Sequence, residues 1–318
     1  MNILSKIFPK IFEKESISVD SCNDFHSHIM LTDGEDAISK IKSSHHSAFV
    51  KEALISLSEK GFVLLKKNNS FAACNSVILA FEDYCRSNGE HLNFRDENGL
   101  HDRLCNLQIQ YPAAADLALN PNVLSILEAA MNSPVDVVGS LFFERGSEQD
   151  IHRDSPAFYT IPLNRYFGVW NALEDIHPEA GALVYYAGGH KIAPDIEYLG
   201  SGKMNEYFDE IEQACIAAGL KKEYLIAEKG DTLIWHPQLP HGGSTILDKK
   251  RSRRSIVIHY KGYGLPIFGG PEFFGLKELP DSMQDNFGYL TNRSRRILDH
   301  GSIVFQRNRK EGNFDQVE

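Results

Sequence analysis

The chain has 318 residues, of which 42% are hydrophobic and 24% charged. These values are ordinary for a globular protein with a large core, and they exclude a disordered chain, a collagen and a disulfide-rich miniprotein. Lysine and arginine number 33 against 43 aspartates and glutamates, which leaves a formal net charge of −10. So acidic a chain has no overall attraction for phosphate backbones or anionic lipids, and we expect neither a nucleic-acid nor a membrane partner.

The five cysteines are scattered and form no C-x-x-C pair. This pattern is typical of reduced, buried thiols in a cytoplasm rather than of a disulfide framework. Charged residues interrupt the apolar N-terminal segment, and no window reaches the about 18 apolar residues that span a bilayer. We therefore expect a cytoplasmic protein.

Residues 15–45, rich in Ser, Asp and His, indicate a weakly structured N-terminal extension. The spacing of apolar residues beyond it predicts helices, and short runs rich in Val, Phe, Tyr and Trp predict strands. The predicted helices cover 46–60, ending at Gly61, then 71–85, 123–131 and about 204–218. The predicted strands are Phe62–Leu65, Val135–Phe143, Tyr166–Leu173, Ala182–Ala187, Asp231–Trp235 and Ser255–Tyr260.

The run Tyr166–Leu173 indicates how these strands are arranged. Both of its alternating sets of side chains are largely apolar, as expected for a strand that is covered on both faces. The simplest architecture is a mainly β fold, an antiparallel double-sheet jelly roll with helices packed outside.

Histidines and one carboxylate form the first candidate site. His152-x-Asp154 follows the strand Val135–Phe143 directly, and residues i and i+2 of an extended chain point to the same side. A later strand ends in a loop that carries His236 and His241. Two neutral histidines and one carboxylate on one face of an ion leave about three coordination positions open, the arrangement that suits non-haem Fe(II) oxygenases.

A basic turn, KKRSRR, feeds the last predicted strand. A guanidinium can hold a carboxylate of a dicarboxylate cosubstrate with two parallel hydrogen bonds, whereas lysine offers only a point charge. Arg253 shares a strand face with Ser255, Val257 and His259, the more polar of the two faces. We therefore rank Arg253 first as the anchor, Arg254 second and Arg251 third.

These pieces, in this order, resemble the phytanoyl-CoA dioxygenase (PhyH) family of Fe(II)/2-oxoglutarate-dependent oxygenases. The similar segments are His152-x-Asp154, Ala172–Lys191, Gly230–Gly242 and Arg253 to Tyr260, with a further likeness at Glu59–Leu65. The resemblance implies that His152, Asp154 and His241 bind Fe(II). It also implies that Arg253 pairs with the distal carboxylate of 2-oxoglutarate and that Ser244 offers it a hydroxyl.

The fold implied is the double-stranded β-helix, a cupin-like jelly roll, with packed N-terminal helices. We expect a jelly-roll domain over residues 46–265, between an N-terminal extension over 1–45 and a C-terminal extension over 266–318. The reaction implied uses O₂ to convert 2-oxoglutarate into succinate and CO₂ and hydroxylates an unactivated C–H bond. Related halogenases replace the carboxylate ligand by a small residue, and because this chain keeps Asp154 we predict hydroxylation.

Other histidines have simpler interpretations. His236 is read as a core or hydrogen-bonding histidine, because Gly242-Gly243 follows only His241. We read the cluster around His26 and His28 as surface histidines, His190 as a turn or pocket-edge residue and His259 as a strand histidine. The two tryptophans, Trp170 and Trp235, are read as packing residues, with Trp170 or Asn171 also able to line the pocket.

The substrate does not follow from the sequence. We expect a small-molecule substrate in a pocket that is shaped by Arg153, Tyr159, Arg165 and a helical insertion over 203–222. The two arginines favour an anionic substrate. Two other classes of protein fit parts of the pattern: a non-catalytic jelly-roll metabolite-binding protein, and a zinc-dependent hydrolase with the same triad. Neither class needs Arg253, which is the feature that separates them from an oxygenase.

Overall fold

The computed structural model describes residues 13–15, 29–88, 96–101, 103–157, 159–160, 162–192, 204–268, 288–299, 301 and 303–306. The helices are α1 (Ala37–Ser43), α2 (Ala48–Lys60), α3 (Phe71–Ser87), α4 (Pro112–Ala118), α5 (Pro121–Met131), α6 (Asp154–Ala157) and α7 (Met204–Ala217). The predicted helices are thus confirmed within a few residues at their ends. Within these ranges no helix has the length and apolar character needed to cross a membrane.

The strands also follow the predicted runs closely, and Val135–Phe143 has the predicted bounds. In chain order they are β1 (Glu13–Glu15), β2 (Phe62–Leu65), β3 (Arg103–Cys105), β4 (Val135–Phe143), β5 (Tyr159–Thr160), β6 (Tyr166–Ala172), β7 (Leu183–Tyr186), β8 (Lys222–Leu225), β9 (Thr232–Trp235), β10 (His241–Gly243), β11 (Ser255–Gly262), β12 (Ile267–Phe268), β13 (Gly288–Asn292), β14 (Arg295–Asp299) and β15 (Val304–Gln306).

Two sheets form the body of the fold. The larger has the order β1-β13-β14-β4-β11-β6-β9-β2, with β3 and β15 attached beside β4, and the smaller has the order β10-β7-β8. Neighbours along the β4-β11-β6-β9-β2 stretch are antiparallel. The protein is a jelly roll of the cupin-like, double-stranded β-helix type, as predicted.

The central strand β11 separates two apolar clusters. Ile256, Ile258 and Tyr260 belong to a cluster shared with the N-terminal helices, whereas Val257 packs with the residues between the two sheets. Each face of the strand is therefore covered, which explains why both alternating sets of its neighbour β6 are apolar. The side chains between the sheets form the interior in which the candidate site lies.

Capping residues define the ends of the helices that cover the larger sheet. The Ser47 hydroxyl accepts from the Val50 N–H at the start of α2, and the Ser70 hydroxyl accepts from the Ala73 N–H at the start of α3. Gly61 ends α2 in the left-handed conformation, with φ of 81°, as the sequence predicts. The chain can then turn directly into β2.

The prediction of weak structure over residues 15–45 was wrong for its second half. Helix α1 lies inside that segment, and the side chains of Met30 and Ile41 are buried in the helix-side cluster. The apolar spacing of so short a helix gives little periodic signal. The helix is held by tertiary packing rather than by its own propensity.

Strands β13, β14 and β15, which lie after residue 265, join the larger sheet, whereas β12 pairs with β5. Strand β14 lies parallel to β4, with Ile297 opposite Val137, and the Arg296 guanidinium donates to the buried Asp136 carboxylate at 2.6 and 2.9 Å. The Lys261 ammonium donates to the same carboxylate at 3.1 Å. The C-terminal segment is thus tied to the jelly roll, although the domain boundaries at residues 45 and 265 remain predictions.

Candidate metal centre

The segment that follows β4 and the start of β10 bring the histidine and carboxylate side chains together. His152 and Asp154 follow β4, and His241 begins β10 of the smaller sheet. His152 and His241 form an antiparallel bridge in which each backbone N–H donates to the other's carbonyl at 2.9 Å. This bridge joins the loop after β4 to the smaller sheet.

The side chains of His152, Asp154 and His241 converge as the sequence predicts. One ligand atom from each lies within 4.8 Å of the other two, and Nε2 of His241 lies 3.8 Å from Oδ1 of Asp154. Asp154 and His241 are buried, while His152 is partly exposed. The described residues form no other such group of histidine, cysteine and carboxylate ligands.

Backbone carbonyls fix the orientation of both imidazoles. Nδ1 of His152 lies 2.8 Å from the Asp150 carbonyl, and Nδ1 of His241 lies 2.9 Å from the Leu239 carbonyl. Because a carbonyl can only accept, each Nδ1 carries the proton and each Nε2 lone pair is available to a metal. The two rings lie with their centroids 4.4 Å apart.

Burial keeps these imidazoles neutral. It lowers the pKa of His241 to about 4, and burial followed by the neighbouring His241 lowers the pKa of His152. A histidine must be neutral to bind a metal ion, so both rings are ready to bind one at neutral pH. Two imidazoles and one carboxylate are a donor set that fits non-haem Fe(II).

Arg253 lies inside the jelly roll beside two aromatic rings. Its guanidinium carbon is 5.7 Å from the Phe143 ring centroid and 5.9 Å from that of Trp170, and its backbone N–H donates to the Glu144 carbonyl. The side chain is buried, and its Nε and Nη1 have no hydrogen-bond partner. Burial lowers its pKa to about 10, which still leaves it charged at neutral pH. A buried cation with unpaired donors is the environment that a ligand carboxylate would complete.

Arg254, our second choice, has a different environment. Its guanidinium pairs with Glu144 at 3.1 Å and lies 3.7 Å from Glu82. Arg251, the third choice, is half exposed and pairs with Asp248 at 3.0 Å. Protein carboxylates already neutralise both side chains, whereas Arg253 keeps unpaired donors. The choice of Arg253 as the cosubstrate anchor stays a prediction.

Ser244 and His236 lie apart from the triad. Ser244 lines a pocket of about 210 Å³ with Val184, which packs against α7 on the outer side of the smaller sheet. Its role toward a cosubstrate stays a prediction. His236 is buried, with Nε2 3.3 Å from Oδ1 of Asp33 and Nδ1 accepting from the Gln238 N–H, so it is the hydrogen-bonded core histidine that we expect.

Of the other histidines discussed from the sequence, the structure describes His190 but not His26 or His28. His190 lies at a turn with Nε2 3.2 Å from the Ser58 carbonyl, and its ring packs against His236 at 5.4 Å between centroids. It is the turn residue that the sequence predicts. His26 and His28 lie outside the described residues, as does the side chain of Tyr159.

Two arginines predicted to shape the substrate have structural partners instead. The Arg153 guanidinium is fully buried and donates to the carbonyls of Gly189 and Ile192 at 2.8 and 2.7 Å. The Arg165 guanidinium is buried and donates to the Met131 carbonyl. Sequence proximity to the triad suggested them, but both side chains hold backbone segments together. They therefore give no support to an anionic substrate, which remains a prediction.

Three interior residues near the triad were not singled out for a role there. The indole N–H of Trp235 donates to Oδ2 of Asp154 at 2.7 Å, so this tryptophan does more than pack. The Arg103 guanidinium lies 5.3 Å from the Phe143 ring centroid, on the strand face that also carries Cys105 and its register partner Leu141. His259 is buried, with its ring 5.2 Å from that of Tyr166. The only sequence signal for this position of His259 is that it shares a face of the strand Ser255–Tyr260 with Arg253.

A jelly roll with two histidines, one carboxylate and a buried guanidinium facing its interior defines the Fe(II)/2-oxoglutarate oxygenase class. The sequence profile of the phytanoyl-CoA dioxygenase (PhyH) family matches residues 57–255. This match covers more than half of the chain, and the chain belongs to that family.

Curated relatives agree with this assignment. Peroxisomal phytanoyl-CoA dioxygenase of Mus musculus is 28% identical over 192 residues, which are 58% of this chain and 53% of the relative. Phytanoyl-CoA dioxygenase domain-containing protein 1 of Mus musculus is 28% identical over 127 residues, 34% of this chain and 44% of the relative. The chain spans about half the length of the curated relatives it matches.

Solved structures share the fold at low sequence identity. The α-ketoglutarate-dependent carbocyclase SnoK from nogalamycin biosynthesis superimposes with a TM-score of 0.60 at 17% identity, over 78% of this chain and 97% of that one. EctD from S. alaskensis, solved with 2-oxoglutarate and 5-hydroxyectoine, gives a TM-score of 0.57 at 15% identity, over 80% and 89%. These likenesses confirm the jelly-roll fold.

Proposed function

We propose that this protein is an Fe(II)- and 2-oxoglutarate-dependent dioxygenase that hydroxylates an unactivated C–H bond of a small molecule, with succinate and CO₂ as coproducts. The observation that carries the proposal is that the jelly roll contains both the cluster of His152, Asp154 and His241 and the buried guanidinium of Arg253. In this proposal the three clustered side chains hold the iron, and Arg253 binds the distal carboxylate of 2-oxoglutarate.

The protein's own groups prepare the site for this chemistry. The two imidazoles present Nε2 because the carbonyls of Asp150 and Leu239 hold their Nδ1 protons. Arg253 offers unpaired N–H groups in an environment without competing water, which strengthens its interaction with a carboxylate. When bound, iron would supply the activation of O₂ that couples 2-oxoglutarate decarboxylation to C–H oxidation.

The carboxylate ligand favours hydroxylation over halogenation. Asp154 occupies the position that halogenases leave open for chloride, and its carboxylate faces His241 at 3.8 Å. Structural neighbours with this fold include a carbocyclase and an epimerase, so the outcome of the oxidation is part of the proposal. A chlorinated product formed by the purified enzyme in chloride buffer would contradict it.

A zinc hydrolase or a metabolite-binding protein would leave the buried Arg253 without a function. A hydrolase needs only the metal-bound water and the triad, and a buried unpaired cation is costly to a fold that does not use it. This cost favours the oxygenase over both alternatives.

Succinate formation tests the proposal. The purified protein, supplied with Fe(II), ascorbate, O₂ and 2-oxoglutarate, should form succinate, and His152→Ala and Arg253→Ala should reduce the rate strongly. An anaerobic visible absorption band on adding Fe(II) and 2-oxoglutarate together would support direct chelation. Equal succinate formation by wild type and both variants, or no iron binding by wild type, would overturn the assignment.

The cellular location belongs to this proposal as well. The described cysteines, Cys74, Cys85, Cys105 and Cys215, are buried and form no disulfide with one another, as expected for small core residues. We propose a cytoplasmic location on this basis, although the Mus musculus relative is named as peroxisomal. A tagged chain in cells, viewed beside a peroxisomal marker, separates the two locations.

A further inference from the structure

The two carboxylate oxygens of Asp154 have different environments. Oδ1 faces Nε2 of His241 at 3.8 Å, on the side where the three ligand atoms converge. Oδ2 accepts a hydrogen bond from the indole N–H of Trp235 at 2.7 Å. One oxygen is thus directed to the candidate metal position and the other is engaged by the protein.

Neighbouring residues hold the indole in this position. Trp235 lies opposite Gly168 in the register of β9 and β6, and a Cβ on Gly168 would come within 2.3 Å of the indole Cε2. Only glycine leaves room for the ring there, which accounts for a glycine inside a buried strand. The ring also packs against His241, with centroids 4.6 Å apart.

Burial makes the hydrogen bond between these two side chains persistent. Trp235 is 2% exposed and Asp154 is 4% exposed, so water does not compete for either partner. An indole N–H can only donate, and a hydrogen bond to a carboxylate is stronger than one between neutral groups. Rotation of the carboxylate about its Cβ–Cγ bond would break this contact.

We propose that Trp235 is a positioning residue that keeps Asp154 a one-oxygen ligand, and this inference rests on the proposed function. A triad with one carboxylate oxygen leaves about three metal positions open, which two 2-oxoglutarate oxygens and O₂ together require. A carboxylate free to rotate could bind with both oxygens and occupy one of these positions. The hydrogen bond from Trp235 therefore preserves the position needed for O₂.

The variant Trp235→Phe removes the N–H and keeps an aromatic ring. With Mn(II) as the probe, water-proton relaxation should show a loss of about one of the three exchangeable metal-bound waters. The kcat for succinate formation should fall by about 10- to 100-fold. The KM for 2-oxoglutarate should stay within about twofold, because the carboxylate anchor Arg253 is unchanged.

Trp170→Phe is the matched control, since Trp170 is equally buried and packs against Arg253 rather than Asp154. It should keep the wild-type number of exchangeable waters and raise the KM for 2-oxoglutarate. Benzothienylalanine at position 235 removes only the N–H and replaces Trp235→Phe if that variant unfolds.

The results separate this inference from the proposed function. A wild-type number of waters and a wild-type kcat in the variant without the N–H would show that Trp235 only packs, with the oxygenase assignment intact. A wild-type protein that binds no Mn(II) and no Fe(II) would overturn both.

Discussion

His152 and His241 are joined by a reciprocal pair of backbone hydrogen bonds, each 2.9 Å long, and this pair sets the relation between their imidazoles. The two residues are distant in the sequence, and one lies in a loop while the other begins a strand of the smaller sheet. Because a one-residue slip in an extended pairing turns every side chain to the other face, the register of this bridge decides whether both rings reach one ion.

Loss of a triad ligand should abolish metal binding without unfolding the protein. We expect His241→Ala to weaken Ni(II) or Fe(II) binding by more than about 100-fold, since even an outer partner of a ligand is worth 10- to 100-fold. Isothermal titration of the metal-free protein measures this. His236→Gln is the control, because His236 pairs with Asp33 outside the triad. Equal loss of metal binding in the control would point to His236 as a ligand.

Replacement of Arg253 should affect the cosubstrate rather than the metal. Arg253→Lys keeps the charge but loses the fork that holds a carboxylate, so we expect the KM for 2-oxoglutarate to rise by about 10- to 100-fold. Arg254→Lys should change this KM by less than about threefold, because Glu144 and Glu82 already neutralise Arg254. Succinate formation at a series of 2-oxoglutarate concentrations provides both values. A larger rise in the Arg254 variant would reverse the assignment.

Arg103 provides a second cation on the interior side of the larger sheet. It lies over the Phe143 ring that Arg253 also approaches. Burial lowers the pKa of His152 most, and the charge of Arg103 adds a smaller lowering. We expect Arg103→Gln to raise the KM for 2-oxoglutarate by about tenfold, the value of one charge-assisted hydrogen bond. The control is Arg145→Gln, since Arg145 pairs with Asp96 at 3.0 Å. An unchanged KM in Arg103→Gln would restrict cosubstrate binding to Arg253.

Acid should destabilise the metal-free protein through its buried histidines. Burial lowers the pKa of both His259 and His190 to about 4, whereas an unfolded histidine titrates near 6.5. The unfolded chain therefore binds more protons between about pH 6.5 and 4, and the free energy of unfolding falls across that window by up to ~1.4 kcal/mol per pH unit for each histidine. Above about pH 6.5 the effect disappears.

Urea unfolding of the metal-free protein between about pH 7 and 5 measures this slope. His190→Gln should lower the slope by about one proton, because glutamine does not titrate. The glutamine amide can still donate to the Ser58 carbonyl, so the local structure should be kept. A slope identical to that of wild type would show that His190 does not titrate on unfolding.

Much of the fold and the triad could be predicted from local patterns. Apolar runs of the right length marked the central strands, and the parity of β11 placed Arg253 on the interior face together with Val257. The i and i+2 spacing of His152 and Asp154 needed no tertiary information. These features are local, and local patterns can be recognised in a single sequence.

Other features depend on contacts between distant segments. No periodicity connects Trp235 with Asp154, and the hydrogen bond between them follows from the register of β9 and from the space at Gly168. Arg153 illustrates the opposite case, since its place beside the triad suggested a substrate role while its partners are the carbonyls of Gly189 and Ile192. Tertiary packing decides which way such a side chain points.

Strand β4 has an outer edge that two distant parts of the chain share. The half near Phe143 is paired with β3, and the half near Val137 is paired with β14 from the C-terminal segment. A fragment trimmed to residues 46–265 would expose half of this edge and remove Arg296 from the Asp136 carboxylate. Unpaired strand edges recruit other chains, so we expect such a fragment to aggregate while the full chain remains dispersed. The smallest unit that can be handled in solution is therefore larger than the segment that carries the chemistry.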